Sequence, residues 1–207
     1  CGYGVDDENP DHHFSTKTED VTKAYAYKTA EMLNADYSIV AISGYGIISG
    51  YTTGDVPISE QTIPQYYDTL GFTYGSFGKE KPQDIMWDFT KRQPDIVVVN
   101  LGTNDSSYTK GHEDRLTWFG NEYCAFIKKI RERNPDATIL CSLGIMGADV
   151  YPSIEKAVET YIDETGDNNI ELLKFDQQLM EDKIAADWHP SETTHTKAAK
   201  KLAAKIQ

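Results

Sequence analysis

The sequence predicts an α/β protein in which a parallel sheet is covered by helices on both faces, a three-layer sandwich. Short apolar runs alternate along the chain with longer stretches whose apolar residues recur at helical spacing. The segment 95–105 (DIVVVNLGTND) contains the strongest strand pattern, and its apolar run is hydrophobic on both faces, as buried parallel strands are. With 207 residues, 39% hydrophobic and 26% charged, the chain suits one packed domain.

The first half of the chain is predicted to begin with turn-like, polar residues. Ser15 and Thr16 suit the start of a helix with apolar residues on one face, and a β-branched run, DYSIVAIS, then reads as a buried strand. A long loop region containing a short helix follows, and a further helix ends near Pro94. In order, these elements are the helix 15–33, the strand 36–43, the loop 50–80 with a helix at 59–70, and the helix 81–93.

The second half shows clearer periodicity. After the strand in 95–105, a long amphipathic helix is stopped by Asn134-Pro135, and Ser191 is a suitable N-cap for the last helix. The predicted elements are the helix 113–135, the strand 137–145, the helix 153–165, the strand 170–175 and the helix 191–207.

Composition excludes several classes of function. The chain has 20 Lys and Arg against 33 Asp and Glu, a net charge of −13, which disfavours partners such as duplex nucleic acid or an anionic membrane surface. No apolar run approaches the ~20 residues that span a bilayer. Three cysteines without short spacing argue against a zinc cluster or a disulfide scaffold, and Cys124 and Cys141 are expected to be buried.

Chemistry in a parallel α/β sheet lies on the loops that follow the carboxyl ends of the strands. The loop ADWHPS places Asp187 two residues before His189, and a carboxylate near an imidazole can fix the tautomer that a general base needs. The alternative is a surface loop that only starts a helix. His195, one turn into that helix, is expected to be solvated.

Two further loops offer hydrogen-bond donors. After the strand in 95–105, Gly102 permits a tight turn and Asn104 presents an amide suited to a developing oxyanion. After 36–43, Gly44 and Gly46 would let backbone N–H groups approach a ligand. Taken singly, these motifs could equally be turns and caps. Together they supply a base, its orienting acid and two donors, which are parts of an acyl-transfer site that still requires a nucleophile.

The motifs SGYG, NLGTND and DWHPS, in this order, resemble those of the SGNH (GDSL-like) hydrolases, and the longer stretches at 86–105 and 187–206 resemble the catalytic domain of carbohydrate esterase family 2. The resemblance covers nearly the whole chain and implies a flavodoxin-like parallel sheet. It makes His189 the general base and Asp187 its orienting carboxylate, although some relatives use backbone carbonyls instead. The oxyanion donors would be Asn104 and Gly44, with Gly46 as second choice.

The resemblance also implies residues around the substrate. Trp188 would lie beside the acetyl or sugar pocket, and Tyr45 and Gly46 are assigned to substrate binding on the same basis. Trp87 stands in a matching stretch, but packing between a helix and the sheet is the better expectation for it.

The family's nucleophile motif is Gly-Asp-Ser-Ile-Thr followed by a turn like Cys-Gly-Tyr-Gly, so the serine is expected about three residues before Cys1. Residues 1–207 are therefore expected to form a hydrolase domain that is incomplete at its N-terminus and lacks its first strand. Ser43, Ser142 and Ser191 are not expected to replace the missing serine.

The resulting hypothesis is a serine esterase that removes O-acetyl groups from carbohydrate, without a metal or cofactor. The resemblance alone implies that it is secreted. Two alternatives stay open: a non-catalytic carbohydrate-binding module of the same fold, and an SGNH hydrolase that acts on lipid esters or thioesters. The sequence indicates neither the sugar nor the oligomeric state.

Overall fold

The structure is a computed structural model that describes all 207 residues, and it contains one three-stranded sheet. The strands are β1 (Ile96–Asn100), β2 (Thr138–Ile145) and β3 (Ile170–Gln177), arranged in the order β1-β2-β3. Strand β1 runs parallel to β2, with Ile96 opposite Thr138. The prediction of an α/β fold with a parallel sheet is confirmed.

Five α-helices precede, separate and follow these strands along the chain. They are α1 (Tyr25–Leu33), α2 (Thr103–Thr109), α3 (Glu113–Arg133), α4 (Tyr151–Thr165) and α5 (Glu192–Ile206). Helix α1 packs against α5, and α3 packs against both α2 and α4. The side chain of Ser191 accepts from the backbone N–H of Thr194, which confirms the predicted N-cap of α5. None of the helices is long and apolar enough to cross a membrane.

The chain forms two compact units, each with its own apolar interior. The first consists of Cys1–Ser43, Gly144–Ala148 and Leu173–Gln207, and the second of Gly44–Leu143 and Asp149–Leu172. Fully buried side chains of the second unit come from α3, α4 and β2: Phe119, Tyr123, Ile127, Ile139 and Ile154. Helices α1 and α5 provide buried side chains to the first unit, such as Ala30, Ala199 and Leu202. Cys124 and Cys141 are buried free thiols, as predicted.

The predicted strand at 36–43 is wrong. These residues form no strand, and Tyr37 and Val40 are exposed. A β-branched run indicates a strand only if another strand pairs with it, and β1 occupies the edge of the sheet without a neighbour from this segment.

Three predicted helices in the first half of the chain are shorter than expected or absent. The first α-helix begins at Tyr25, because Asp20 caps a separate 3-10 turn through the N–H of Thr22. The segment 81–93 contains only two 3-10 turns, and the side chain of Asp88 caps the second one. At 59–70 only the turn Ile63–Gln65 forms. Side-chain-to-backbone bonds and prolines favour these short turns over longer helices.

His195 is buried, contrary to the expectation that it is solvated. Its Nδ1 accepts a hydrogen bond from the backbone N–H of Tyr25 at 3.2 Å, at the start of α1. Burial lowers the pKa of His195 from its usual 6.5 to about 3. The helical pattern placed this residue on α5, but only the packing of α5 against α1 determines which face is covered.

This burial predicts a pH dependence of stability. Between pH 6.5 and 3 the unfolded chain binds a proton at residue 195 that the folded chain excludes, so the free energy of unfolding falls as the pH falls. In His195→Asn, whose amide oxygen can still accept from Tyr25, urea unfolding is expected to show a flatter dependence over that range. His112→Asn alters an exposed histidine and should retain the wild-type slope; identical slopes in all three proteins would contradict the prediction.

Candidate active site

The first unit holds His189 on a strained turn. Asp187 has φ 50° and Trp188 has φ 63°, so two consecutive non-glycine residues occupy the left-handed region. The turn is closed by hydrogen bonds from the His189 N–H to the Ala186 carbonyl at 3.1 Å, and from the Ala185 N–H to the His189 carbonyl at 2.8 Å. Such a conformation persists only where surrounding contacts compensate for its cost.

The imidazole of His189 is oriented by a backbone carbonyl. Its Nδ1 lies 3.0 Å from the carbonyl oxygen of Asp187, an acceptor that requires Nδ1 to carry the proton. Nε2 then has the free lone pair that a general base needs. The sequence assigned this orienting role to the Asp187 carboxylate; in the structure, that residue orients His189 through its main chain.

The carboxylate of Asp187 instead anchors the turn to the N-terminal segment. It accepts from the Tyr3 hydroxyl at 2.9 Å and from the Phe14 N–H at 2.7 Å, and it pairs with Nδ1 of His13 at 2.9 Å. His13, Phe14 and Tyr3, in that order of effect, lower the pKa of Asp187 to about 2. The carboxylate is therefore ionised at neutral pH and can keep all three contacts.

Trp188 is 54% exposed, so its side chain is open to a ligand, and its carbonyl accepts from Nε2 of Gln178 at 2.9 Å.

Burial lowers the pKa of His189, while its hydrogen bonds to Asp187 and Ala186 raise it. The imidazole is consequently neutral at pH 7, which is the form a base requires.

In the second unit, Asn104 lies in the first turn of α2. Gly102 precedes this helix with φ 134°, and a Cβ there would lie 2.8 Å from Cγ2 of Val150, so only glycine fits. The side-chain amide of Asn104 donates to the carbonyl of Tyr45 at 2.8 Å. That bond uses one of its two N–H groups and fixes the direction of the other.

Asp105 holds the loop that carries Gly44 and Gly46. Its carboxylate is fully buried and accepts backbone N–H bonds from three consecutive residues of the loop, Ile47, Ile48 and Ser49, at 2.8–3.2 Å. Burial raises the pKa of Asp105, and these N–H donors oppose that rise. Sequence reasoning gave Asp105 no separate role, and its three partners lie more than 50 residues away.

The two candidate glycines differ in the structure. The N–H of Gly46 donates to the Gln61 carbonyl at 3.2 Å, and a Cβ on Gly46 would lie 2.5 Å from Oδ2 of Asp105. The N–H of Gly44 has no partner in the chain, and a Cβ there would meet no atom within 4 Å. Gly44 is thus the glycine with a free donor, while Gly46 permits close packing.

Two other predictions concern side chains near these motifs. The Tyr45 side chain, assigned to substrate binding, is buried and packs with Tyr66 and Phe72, with ring centroids 6.1 and 5.6 Å away. Trp87 does not pack between a helix and the sheet: its segment forms no α-helix, and it is 36% exposed in a groove beside Met86.

The three serines behave as expected of structural residues. The Ser142 hydroxyl donates to the carbonyl of Val99, and that of Ser191 donates to the carbonyl of Asp182. Ser43 is exposed. No group of three or more His, Cys, Asp and Glu side chains is placed to hold a metal ion.

Comparison with known proteins gives concordant matches. The model of the GDSL-like lipase/acylhydrolase family matches residues 1–197. The chain is 32% identical over 211 residues to the cellulase/esterase CelE of Acetivibrio thermocellus, covering 100% of this chain and 24% of that protein. It is 27% identical over 224 residues to an acetylxylan esterase/glucomannan deacetylase of Cellvibrio japonicus, covering 100% of this chain and 53% of that protein.

A solved structure is also similar over the whole of this chain. A family two carbohydrate esterase from Clostridium thermocellum, in complex with cellohexaose, superimposes with a TM-score of 0.80 at 29% identity, covering 100% of this chain and 60% of that chain. The present chain thus spans 24% to 60% of the length of these three proteins.

Asp105→Asn is expected to destabilise the second unit. The amide oxygen can take the place of Oδ1, which accepts from all three residues, but the NH₂ group then replaces Oδ2 and faces the N–H of Ile47 at 3.0 Å, and a buried donor without an acceptor costs about 1–3 kcal/mol. Urea unfolding would measure this loss. Asp149→Asn, at an exposed carboxylate that accepts only from Ser106, is the matched control and should lie within about 0.5 kcal/mol of wild type. Equal stability of both variants would contradict the assigned role of Asp105.

Proposed function

Because the chain belongs to the GDSL-like lipase/acylhydrolase family, we propose that it is a serine esterase that releases acetate from acetylated carbohydrate. The observation that carries the proposal is the imidazole of His189, held by a backbone carbonyl so that Nε2 is the basic nitrogen. The activities for which its relatives are named, esterase activity and deacetylation of acetylxylan or glucomannan, support an acetylated polysaccharide as substrate.

In the proposed mechanism, the nucleophile is the serine that the family resemblance places ahead of Cys1. Nε2 of His189 takes the serine proton as Oγ attacks the acetyl carbonyl, and the same proton then goes to the sugar oxygen as the ester bond breaks. A water molecule next gives its proton to Nε2 and attacks the acyl-serine; acetate leaves and the serine recovers its proton.

The proposed oxyanion donors are the second N–H of the Asn104 amide and the backbone N–H of Gly44. Both are supported by the contacts of the second unit: Tyr45 fixes the amide of Asn104, and the Gly44 N–H has no competing acceptor. Donors of this kind stabilise the charge of the tetrahedral intermediate, and each contributes about 2.7–4 kcal/mol in comparable sites.

The substrate is tested on the protein with its native N-terminal sequence. Acetate release from acetylated xylan and glucomannan is expected, and activity should fall as the acyl group of a matched ester series is lengthened from acetyl to octanoyl. A preference for the long chains would favour the lipid-esterase alternative. Binding of the polysaccharide without acetate release would favour the non-catalytic module.

The division of labour between His189 and Asp187 predicts unequal losses. His189→Ala removes the base and is expected to lower kcat more than about a thousandfold, whereas Asp187→Asn keeps the carbonyl that orients the ring and should lower kcat about tenfold. Asp11→Asn is the control, because Asp11 is exposed and belongs to the N-terminal segment that contacts Asp187; this variant should retain the wild-type kcat. Equal losses for His189→Ala and Asp187→Asn would show that the carboxylate is the essential orienting group.

A further inference from the structure

The ring of Tyr3 lies between two other rings of the first unit. Its centroid is 4.0 Å from that of the His189 imidazole, with an interplanar angle of 29°, and 4.2 Å from that of Phe14 on its other face, at 21°. Both pairs are stacked, so Phe14 supports Tyr3 and Tyr3 covers one face of the imidazole.

Tyr3 also contacts the residue that orients His189. Its hydroxyl donates to Oδ2 of Asp187 at 2.9 Å, and the carbonyl of the same aspartate accepts from Nδ1 of His189 at 3.0 Å. The three residues therefore form a closed set of contacts: ring to ring, ring nitrogen to carbonyl, and carboxylate to hydroxyl. Burial and the Asp187 carboxylate raise the pKa of Tyr3 to about 12, so the hydroxyl stays protonated and can donate.

The local sequence explains how Tyr3 reaches this position. Gly2 has φ 80° and Gly4 has φ 63°, and a Cβ on Gly4 would lie 2.8 Å from Cβ of Ala186. A Cβ on Gly2 would lie 2.1 Å from the carbonyl oxygen of Asp20. Two glycines therefore let the backbone on either side of Tyr3 approach the His189 turn and residue 20 more closely than any side chain would permit.

A single hydrogen bond does not fix the orientation of an imidazole ring. The bond from Nδ1 to the Asp187 carbonyl sets one direction in the ring plane, but the ring can still rock about that bond, and Nε2 would then sweep through an arc. A stacked ring at 4.0 Å blocks this movement on one side. General-base catalysis depends on that direction because the proton must be taken over a short, aligned distance.

We propose that Tyr3 is a positioning residue for His189: its ring fixes the plane of the imidazole, and its hydroxyl connects that ring to the Asp187 carboxylate. This inference rests on the proposed function for the role of His189 as the base. It extends that function by one residue that acts through His189 and need not touch the substrate.

The test compares two variants of Tyr3 in the protein with its native N-terminal sequence. Tyr3→Phe keeps the stacked ring and loses the hydroxyl, whereas Tyr3→Leu loses the ring as well; Tyr3→Met replaces the leucine variant if that one does not fold. Tyr37→Leu, at an exposed tyrosine of the same unit, is the control.

The first readout is the titration of the His189 imidazole by NMR, assigned with His189→Asn. Two titratable residues interact with His189: Asp187, whose carbonyl contacts its Nδ1, and His195, whose pKa is lowered by burial and also by the charge of His189. Burial lowers the pKa of His189, so exposing its face in Tyr3→Leu should raise that pKa toward 6.5, while Tyr3→Phe and Tyr37→Leu leave it unchanged.

The second readout is the kinetics of acetate release. Tyr3→Leu is expected to lower kcat about tenfold with KM unchanged. Tyr3→Phe, which keeps the ring, should retain most of the wild-type kcat. An unaltered His189 titration, or an equal loss of kcat in the phenylalanine and leucine variants, would overturn the proposal. If the wild-type protein releases no acetate while Tyr3→Leu still shifts the titration, positioning by Tyr3 holds and the proposed function fails.

Discussion

The conformation of the His189 turn depends on the carboxylate of Asp187. Two consecutive left-handed residues are costly, and the structure compensates with three contacts to one carboxylate, from Tyr3, His13 and Phe14. The same conformation directs the Asp187 carbonyl at Nδ1 of His189. An ionised side chain thus acts on the imidazole through the backbone, and the tautomer of His189 follows from a strained turn that would relax if the carboxylate lost its partners.

A second carboxylate has a comparable part in the other unit. Asp105 is buried and accepts from three consecutive backbone N–H groups of the loop after Gly44. A carboxyl group that accepts from several N–H groups holds a loop more firmly than local turns can, because it satisfies buried donors that would otherwise cost about 1–3 kcal/mol each. Asn104, its neighbour, is fixed by Tyr45 of the same loop. In each unit, then, an aspartate stabilises the backbone next to the residue proposed for chemistry.

The long periodic segments of the second half were predictable. Helix α3 and strand β2 begin and end within two residues of their predicted bounds, since an amphipathic face or a buried apolar run specifies each locally. The structures of segments 36–43 and 81–93 were not predictable. A strand at 36–43 needs a partner strand, and a helix at 81–93 competes with capped turns such as the one at Asp88. His195 shows the same limit, as its periodic position did not reveal the α1–α5 packing that buries it.

The sequence by itself determined the alternation of helices and strands and the loops in which Gly44, Asn104 and His189 stand, because periodicity and turn residues act over a few positions. The tertiary structure alone decided which atom of Asp187 meets His189, which glycine keeps a free N–H, and that Tyr3 stacks on the imidazole. Tyr3 and Asp187 are 184 positions apart in the chain, and no local pattern encodes a hydrogen bond over that separation.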